Sequence, residues 1–418
     1  MVKLTRRKFG LLAGASVAVG VIGAPTVLLA ATPKVVVIGG GAGGATAARY
    51  VAKGSKGAIE VTLIEPTKKY YTCFFSNLYL GGIRDYESIG HTYDKLAYDH
   101  GINVVHDWAV SVDRAKKMVV LSSGAMVPYD RLIVSPGIDL KYEAIPGYSI
   151  ESTNAMPHAW KSGSQVQLLK AQVENMKEGG TFIMVPPPNP FRCPPGPYER
   201  VSMIAKIFKE KNPTAKIIIL DQKEKFSKQG LFEEGWQNHY DGMIEWFAPS
   251  VHGGIKKVDH RAMTIETDID TFKADAACIV PANTAGKIAS IAGLTNESGW
   301  CPIVPATMQS KMDENIHVIG DASIAKSMPK SGFSANSQAK VAAMAARSAL
   351  TGSKMFGSKF SNTCWSLIAP NDGIKVGAAY QAGDAKIDVT SKFISKTGED
   401  EDIRKSTYDE SVGWYDAI

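Results

Sequence analysis

Cysteine is scarce in this 418-residue chain, and its five cysteines form no short metal-binding or redox motif. They lie at Cys73, Cys193, Cys278, Cys301 and Cys364. The absence of a CxxC pair argues against a zinc site and against a thioredoxin-type dithiol. No CxxCH sequence occurs, so the chain cannot itself attach a c-type haem. We therefore expect no metal site and no haem on this chain.

The first 31 residues form a leader that makes a poor permanent membrane span. A basic stretch from Lys3 to Lys8 is followed by an uncharged run from Phe9 to Pro33, which glycines and a proline interrupt. Within it, Thr5 to Phe9 reads TRRKF and resembles a twin-arginine export signal. We predict export of the folded protein to the periplasm, cleavage near Ala30 or Ala31, and no stable membrane anchor. An uncleaved anchor is the alternative.

An excess of charge of one sign is also lacking once that leader is removed. The leader carries four of the 47 basic residues, which leaves 43 against 41 acidic residues. A nearly neutral protein has no electrostatic attraction to phosphate backbones, so nucleic-acid binding is not expected. The hydrophobic content of 44% is ample for two or three domains with buried cores.

A glycine-rich turn follows the first apolar run of the mature chain. Four β-branched residues, Val35 to Ile38, lead into Gly39-x-Gly41-x-x-Gly44 and then into an Ala-rich helical segment. Glu65 ends the next apolar run, 24 residues after Gly41, where a carboxylate would accept ribose hydroxyls. Strand, glycine turn, helix and spaced acid together predict dinucleotide binding. A plain glycine turn between strand and helix is the alternative.

A second strand–helix–strand unit lacks the glycine turn. Thr181 to Val185 and Ala215 to Asp221 are typical of buried strands, and Val201 to Lys211 is an amphipathic helix. Between the first strand and the helix, Pro186 to Pro197 contains seven prolines in twelve residues. Because proline has no N–H and its ring bars close approach, we expect no NAD(P) at this loop.

Further candidate flavin contacts lie in two later segments. Residues 102–134 contain short strands that we interpret as the small β-meander of FAD-binding domains, with Val110 as a candidate contact. A strand ends in Gly320-Asp321, whose side chain would meet the ribityl hydroxyls. Residues 329–338, with Phe333 as a candidate contact, open an Ala-rich helix that ends near Leu350, with Gly352 as its stop. The N-terminus of this helix would stabilise negative charge on a reduced flavin.

These patterns predict an α/β fold. It has two Rossmann-like domains of the glutathione reductase-like type and a small C-terminal β-rich module. The predicted organisation in chain order is a leader (1–31), the N-terminal segment of an FAD-binding domain (32–145), a second Rossmann-like domain without its NAD site (146–281), the returning segment of the FAD-binding domain (282–350) and a small C-terminal β-rich module (351–418).

Several motifs together resemble one family over essentially the whole mature chain. They are GGGAGG at 39–44, YYTC at 70–73, CPPGPYE at 193–199, WCP at 300–302, IGDA at 319–322 and PKSGFSANSQAK at 329–340. With the leader, these motifs resemble the flavoprotein subunit of flavocytochrome c sulfide dehydrogenase, a relative of the sulfide:quinone oxidoreductases.

The resemblance implies a complete set of site residues. Cys73 would carry FAD on its sulfur, and Cys193 and Cys364 would form a redox-active disulfide over the flavin. Glu199 would be a candidate base. The partner would be a small cytochrome c subunit in a heterodimer, bound partly through the C-terminal module (351–418). The substrate would be sulfide, oxidised to sulfur or polysulfide. From the residues alone, Cys73 could equally be inert packing, and Glu199 could equally be a surface acid matched to a helix dipole.

The residues support this chemistry to a limited extent. Cys193 precedes a helix whose first turn holds Pro195 and Pro197, so the helix dipole is expected to favour its thiolate. Hydrosulfide is a soft nucleophile, and attack on a disulfide would leave a persulfide on one cysteine and a thiolate on the other. Export to an oxidising compartment permits such a bond.

Three other functions are alternatives. A sulfide:quinone oxidoreductase would need an apolar membrane-docking segment, and residues 396–418 are too acidic for one. A non-catalytic exported electron-transfer flavoprotein would not need both Cys193 and Cys364. An NADH dehydrogenase is disfavoured by the proline-rich loop.

Overall fold

The computed structural model describes residues 31–418, and residues 33–418 form one compact unit. The predicted twin-arginine leader lies outside the described residues, so export and cleavage stay predictions.

The strands of residues 31–418 fall into several sheets. In chain order they are β1 (Lys34–Ile38), β2 (Glu60–Ile64), β3 (Lys69–Tyr71), β4 (Gly90–Thr92), β5 (Asn103–Val105), β6 (Ala109–Asp113), β7 (Met118–Leu121), β8 (Met126–Pro128), β9 (Arg131–Val134), β10 (Ile138–Leu140), β11 (Thr181–Val185), β12 (Lys216–Leu220), β13 (Ile244–Phe247), β14 (Ile255–Asp259), β15 (Thr264–Thr267), β16 (Thr271–Lys273), β17 (Ala276–Ile279), β18 (Asn283–Ala285), β19 (Gln309–Ser310), β20 (Asp313–Val318), β21 (Lys359–Ala369), β22 (Asp372–Ala382) and β23 (Ile387–Ile394).

The helices pack against these sheets. They are α1 (Ala42–Ser55), α2 (Ser76–Leu80), α3 (Asp94–His100), α4 (Ser164–Glu174), α5 (Gly196–Lys211), α6 (Gln229–Tyr240), α7 (Pro249–His252), α8 (Lys287–Ile291), α9 (Gly332–Thr351) and α10 (Glu401–Ala417).

The first sheet joins two separated segments of the chain. Its strand order is β19-β20-β9-β1-β2-β5, so β20 from the returning segment pairs in parallel with β9 from the N-terminal segment. β1 pairs in parallel with β2 and with β9, and Val35 to Ile38 are buried. Successive β-branched residues suit such a strand, because helices cover both faces of a parallel sheet.

The predicted meander over residues 102–134 is shorter in the structure. β5 pairs with β2, and β9 pairs with β1, so both belong to the first sheet. Only β6, β7 and β8 form the antiparallel meander. The sequence could not separate them, because short apolar strands look alike whichever sheet they join.

The second sheet has the parallel order β13-β12-β11-β17. β11 has the bounds that the sequence predicts, and α5 begins at Gly196, earlier than the predicted Val201. Pro197 suits the first turn of a helix, where its missing N–H has no intrahelical partner. Two Rossmann-like units and a β-rich C-terminal module are present, so the predicted fold class is confirmed.

The C-terminal module contains a helix that the sequence analysis missed. β21, β22 and β23 form an antiparallel sheet, and the acidic, aromatic end of the chain forms α10. The carboxylate of Asp400 caps α10 by accepting the N–H of Ile403 at 2.9 Å. Among residues 31–418, no helix combines the length and apolar character needed to cross a bilayer.

Candidate active site

The glycine turn connects β1 to α1 by a close backbone approach. Gly39 has φ +94°, and a Cβ on it would lie 2.3 Å from the carbonyl oxygen of Ser135. A Cβ on Gly44 would lie 1.7 Å from the carbonyl oxygen of Gly39. No side chain caps the α1 terminus at Gly41, so its first N–H groups remain available to a phosphate.

Glu65 lies directly beside this turn. Its Oε2 accepts the N–H of Gly40 at 2.8 Å, and its Oε1 accepts the N–H and the hydroxyl of Thr67 at 3.0 and 2.7 Å. A carboxylate has about four acceptor positions and three are used here, so one, on Oε2, remains for a ribose hydroxyl. The turn and the acid are therefore brought together as dinucleotide binding requires.

Asp321 has an unused acceptor in the interior. Its Oδ1 is buried and has no hydrogen-bond partner among the described residues. Burial raises the pKa of this carboxyl, and the guanidinium of Arg192, 4.0 Å from Oδ2, opposes the rise. Gly320 has φ +71°, and its N–H donates to Gln338 Oε1 at 2.8 Å. An orphaned carboxylate oxygen beside a Rossmann turn fits a ribityl hydroxyl.

The glycine turn, Glu65 and Asp321 fit FAD as a set. The predicted Ala-rich helix is α9, which Ser331 caps and which ends at Gly352 with φ +66°. Val110, the candidate contact in the meander, lies in β6 with 42% of its surface exposed. It is not among the residues that line the cysteine-containing pocket described next.

One interior pocket collects the other predicted residues. A cavity of about 90 Å³ is lined by Cys73, Cys193, Glu199, Phe333 and Cys364. These residues come from the loop after β3, the proline-rich loop, the first turns of α5 and α9, and β21. All five cysteines of the described residues are unpaired, so the predicted disulfide is not formed in this structure.

Cys73 lies in a loop that α10 covers. Tyr415 of α10 shares hydrogen bonds with the Thr72 hydroxyl at 3.0 Å and with His91 Nε2 at 2.9 Å. Its ring stacks on Phe75 at 4.3 Å. Burial raises the pKa of the Cys73 thiol. The last turns of α10 thus close one side of the pocket.

Cys193 adopts an unusual backbone conformation. Its φ is +57°, in the left-handed region that non-glycine residues seldom adopt, and its N–H donates to the Lys330 carbonyl at 2.7 Å. Such a conformation persists only where the surroundings fix it, and it is typical of functional sites.

Burial opposes the Cys193 thiolate, which the α5 dipole is expected to favour. Burial raises the pKa of the Cys193 thiol well above its usual value, and Cys364 and Glu199 raise it further. Pro195 and Pro197 also remove two N–H groups from the helix start.

Cys364 receives a hydrogen bond that Cys193 lacks among the described residues. Nδ2 of Asn362 donates to Cys364 Sγ at 3.3 Å. Oδ1 of Asn362 accepts the hydroxyls of Ser331 and Ser334, which fixes the amide orientation. Burial still raises the pKa of the Cys364 thiol, while Asn362 and Lys228 act against the rise.

Glu199 points into the pocket, so the alternative of a surface acid does not hold. Its Oε2 accepts Asn77 Nδ2 at 2.7 Å, and its Oε1 accepts the Leu367 N–H at 2.9 Å. Nε of Arg200 donates to the Asn77 oxygen at 3.1 Å and so orients the amide. Burial raises the pKa of Glu199, against the effect of these hydrogen bonds. A carboxyl with a raised pKa suits proton transfer near neutral pH.

Lys228 is a residue beside this pocket that the sequence analysis did not identify. It precedes α6 with φ +63°, it is buried, and its Nζ donates to Cys364 O, Ser366 Oγ and Ile374 O at 3.0, 2.9 and 3.3 Å. No motif marks it, because its importance depends on a contact 136 residues away.

The second Rossmann-like unit encloses its strand-end acid. Asp221 is fully buried, and its carboxylate accepts Tyr198 Oη at 2.6 Å, Trp246 Nε1 at 2.9 Å and Lys223 Nζ at 2.5 Å. The Tyr198 ring stacks on Phe226 at 3.7 Å. Because Asp221 is fully buried beneath these donors, its oxygens are not exposed to a nucleotide ribose.

Similar folds occur in several solved structures at low sequence identity. The sulfide:quinone oxidoreductase of Aquifex aeolicus matches with a TM-score of 0.69 and 16% identity, over 91% of each chain. An NAD-dependent persulfide reductase of A. fulgidus matches with a TM-score of 0.62 and 15% identity, over 90% of this chain and 76% of the other. The reduced CoADR-RHD of Bacillus anthracis has a TM-score of 0.64 and 17% identity, and the match covers 83% of this chain and 61% of that chain. These likenesses show the shared fold.

Family comparisons define the class. The pyridine nucleotide-disulphide oxidoreductase family matches residues 33–175. With the glycine turn, Glu65 and Asp321, this match identifies a flavoprotein oxidoreductase.

Two further matches are narrower. The central region of the sulfide dehydrogenase (flavocytochrome c) flavoprotein chain matches residues 166–281. The flavin-binding region of flavocytochrome c sulphide dehydrogenase matches residues 358–418. Over residues 166–281 and 358–418, these two matches identify the flavoprotein chain of flavocytochrome c sulfide dehydrogenase.

Proposed function

We propose that this chain oxidises sulfide to sulfur or polysulfide in the periplasm and passes the electrons to a cytochrome c subunit. The observation that carries the proposal is the single pocket shared by Cys73, Cys193, Glu199 and Cys364. One potential cofactor attachment point, two potential redox sulfurs and one potential base lie where a small nucleophile can reach all of them.

FAD is the cofactor that the binding residues fit. The glycine turn and the start of α1 would hold the pyrophosphate, Glu65 the adenosine ribose, and Asp321 the ribityl chain. The start of α9 would place a positive dipole end at the ring. Bound FAD supplies a two-electron acceptor that can release electrons singly, which suits a haem partner.

The sulfur chemistry would use a Cys193–Cys364 disulfide. Hydrosulfide attacks one sulfur, which breaks the disulfide bond and forms a new sulfur–sulfur bond. One cysteine then carries a persulfide and the other a thiolate, so two electrons from sulfide are stored in the pair. Glu199 would accept the proton of the attacking hydrosulfide, since its raised pKa makes it a competent base near neutral pH.

A sulfide-dependent cytochrome reduction assay tests the proposed function. The purified flavin-loaded chain with its cytochrome subunit should reduce the haem when sulfide is added, and thiosulfate should give no reduction. Reduction of a quinone but not of the cytochrome would support the sulfide:quinone alternative. A flavin that sulfide leaves oxidised would refute both.

Cys73 is expected to bind FAD covalently. Its sulfur lies in the shared pocket, and the family resemblance assigns it the flavin link. Denatured, acid-precipitated protein should stay yellow, and its mass should exceed that of the polypeptide by one FAD. Cys73→Ser should fold and hold FAD loosely, while Cys301→Ser, which changes a buried cysteine outside the pocket, should stay yellow. A colourless wild-type pellet from fully flavinylated protein contradicts the link.

NADH is expected not to reduce the flavin at a useful rate. The proline-rich loop offers few N–H groups, and Asp221 already accepts three protein donors. Anaerobic mixing with micromolar NADH should leave the visible flavin band unchanged, whereas dithionite should bleach it. Rapid bleaching by NADH would show that the second unit binds a nucleotide.

A further inference from the structure

Lys228 is a buried cation without a carboxylate in ion-pair contact among residues 31–418. Only 6% of its surface is exposed, and its three N–H donors meet two carbonyl oxygens and one hydroxyl. Arg404 and Lys223 each contact a carboxylate, whereas the buried Arg200 resembles Lys228 in donating to neutral groups. Burying an ammonium without an anion is costly. An anion that develops beside Lys228 would offset this cost.

The titratable groups whose charges act on Lys228 come from three elements. They are Cys364 on β21, Cys193 in the proline-rich loop and Glu199 on α5. Burial lowers the pKa of Lys228 to about 8, and these three groups act against that decrease. Cys364 is also faced by Tyr380 on β22, whose pKa burial raises to about 12, so that phenol stays neutral.

The hydrogen bonds of Lys228 hold its ammonium group beside Cys364 rather than beside Cys193. Nζ of Lys228 is bonded to the carbonyl of Cys364 itself and to the hydroxyl of Ser366, two residues further along the same strand. Asn362, two residues before Cys364, donates to its sulfur at 3.3 Å. A cation and a hydrogen-bond donor therefore both act on Cys364.

We propose that Lys228 is a positioning residue whose ammonium stabilises negative charge on the Cys364 sulfur when the cysteine pair opens. The proposal rests on the proposed function, because it assigns a role within the same sulfur pocket. The role is the same whichever sulfur hydrosulfide attacks. Attack on Cys193 leaves a thiolate on Cys364, and attack on Cys364 leaves the anion of a persulfide there. An opposite charge within a few ångströms commonly lowers a pKa by about one to three pH units.

Peptide-resolved alkylation of Cys364 tests this inference without measuring sulfide oxidation. The flavin-loaded protein is reduced with dithiothreitol, freed of it, and treated with iodoacetamide between about pH 6 and pH 10. Only the thiolate reacts, so the rate at Cys364 follows its ionisation. In Lys228→Met the midpoint should lie at least about one pH unit higher, and the rate at neutral pH should fall about tenfold or more.

Two variants separate the effect of the Lys228 charge from the effect of its hydrogen bonds. Lys228→Arg keeps the cation and should retain the wild-type midpoint. Ser366→Ala removes one acceptor of the Lys228 ammonium but leaves the charge, so it should also titrate like the wild type. If Lys228→Met does not fold, Lys228→Gln keeps two N–H donors without the charge and should show the same upward shift.

Several outcomes would overturn the inference. An unchanged midpoint in Lys228→Met or Lys228→Gln would leave Lys228 as a structural tether only. An equal shift in Ser366→Ala would assign the effect to the tether rather than to the charge. A wild-type protein that fails to oxidise sulfide but shows the Lys228-dependent shift would refute the proposed function and leave this inference standing.

Discussion

Cys193→Ser and Cys364→Ser are each expected to reduce sulfide-dependent cytochrome reduction by about 10³-fold, or about 4 kcal/mol of transition-state stabilisation. Serine cannot form a disulfide, so hydrosulfide would lose its electrophile. Both positions line the pocket but lie outside the glycine turn, and each variant should retain FAD and the cytochrome partner. Initial rates of haem reduction, normalised to bound flavin, measure the loss.

Cys278→Ser is the matched control for this pair. Cys278 is a fully buried cysteine in β17, where its sulfur contacts Arg200 Nη1 at 3.3 Å and the His158 carbonyl at 3.2 Å. A serine hydroxyl can make both hydrogen bonds, so activity should stay near the wild-type rate. Near-normal turnover in either pocket variant would end the disulfide mechanism. The same conclusion would follow if oxidised protein showed no bond between Cys193 and Cys364 by peptide mapping.

The fold could be predicted from the sequence because it depends on local patterns. β11 has the predicted bounds, and α9 begins within the predicted opening segment 329–338 and ends at the predicted stop Gly352. Strand periodicity, capping side chains and glycine positions act over a few residues. The extent of the meander could not be predicted from such local patterns. The sheet that β5 and β9 join depends on strands far away in the sequence.

The candidate site could be predicted only to a limited extent. Gly39, Glu65 and Asp321 belong to motifs with fixed local spacing. Lys228 and Asn77 have no such motif, and their relation to Cys364 and Glu199 arises only when α2, α5, α6 and β21 pack together. The charge state of Cys193 could not be predicted either, because a helix terminus is visible in sequence whereas burial is not.

The C-terminal helix depends on one buried arginine. Arg404 in α10 has a side-chain exposure of 8%, and its guanidinium contacts Asp372 at 3.1 Å and Glu234 at 3.0 Å. Those partners lie on β22 and α6, so one side chain joins three elements. Since α10 also lines the pocket and covers the Cys73 loop through Tyr415, loss of its attachment is expected to open the site.

Arg404→Met is expected to destabilise the attachment of α10 by about 3 kcal/mol. Breaking a buried ion pair usually costs about 3–5 kcal/mol. We expect the lower value here, because Asp372 and Glu234 are partly exposed. Native-state hydrogen exchange should show amide protection in α10 falling by about two orders of magnitude, while β1 and β11 keep theirs. Lys405→Met is the matched control, since the Lys405–Asp409 pair on the same helix is more than half exposed and is worth only about 0.3–0.5 kcal/mol. If both variants lost the same small amount of protection, the Arg404 contacts would not hold α10 in place, and closure of the pocket would have to depend on the aromatic packing around Tyr415.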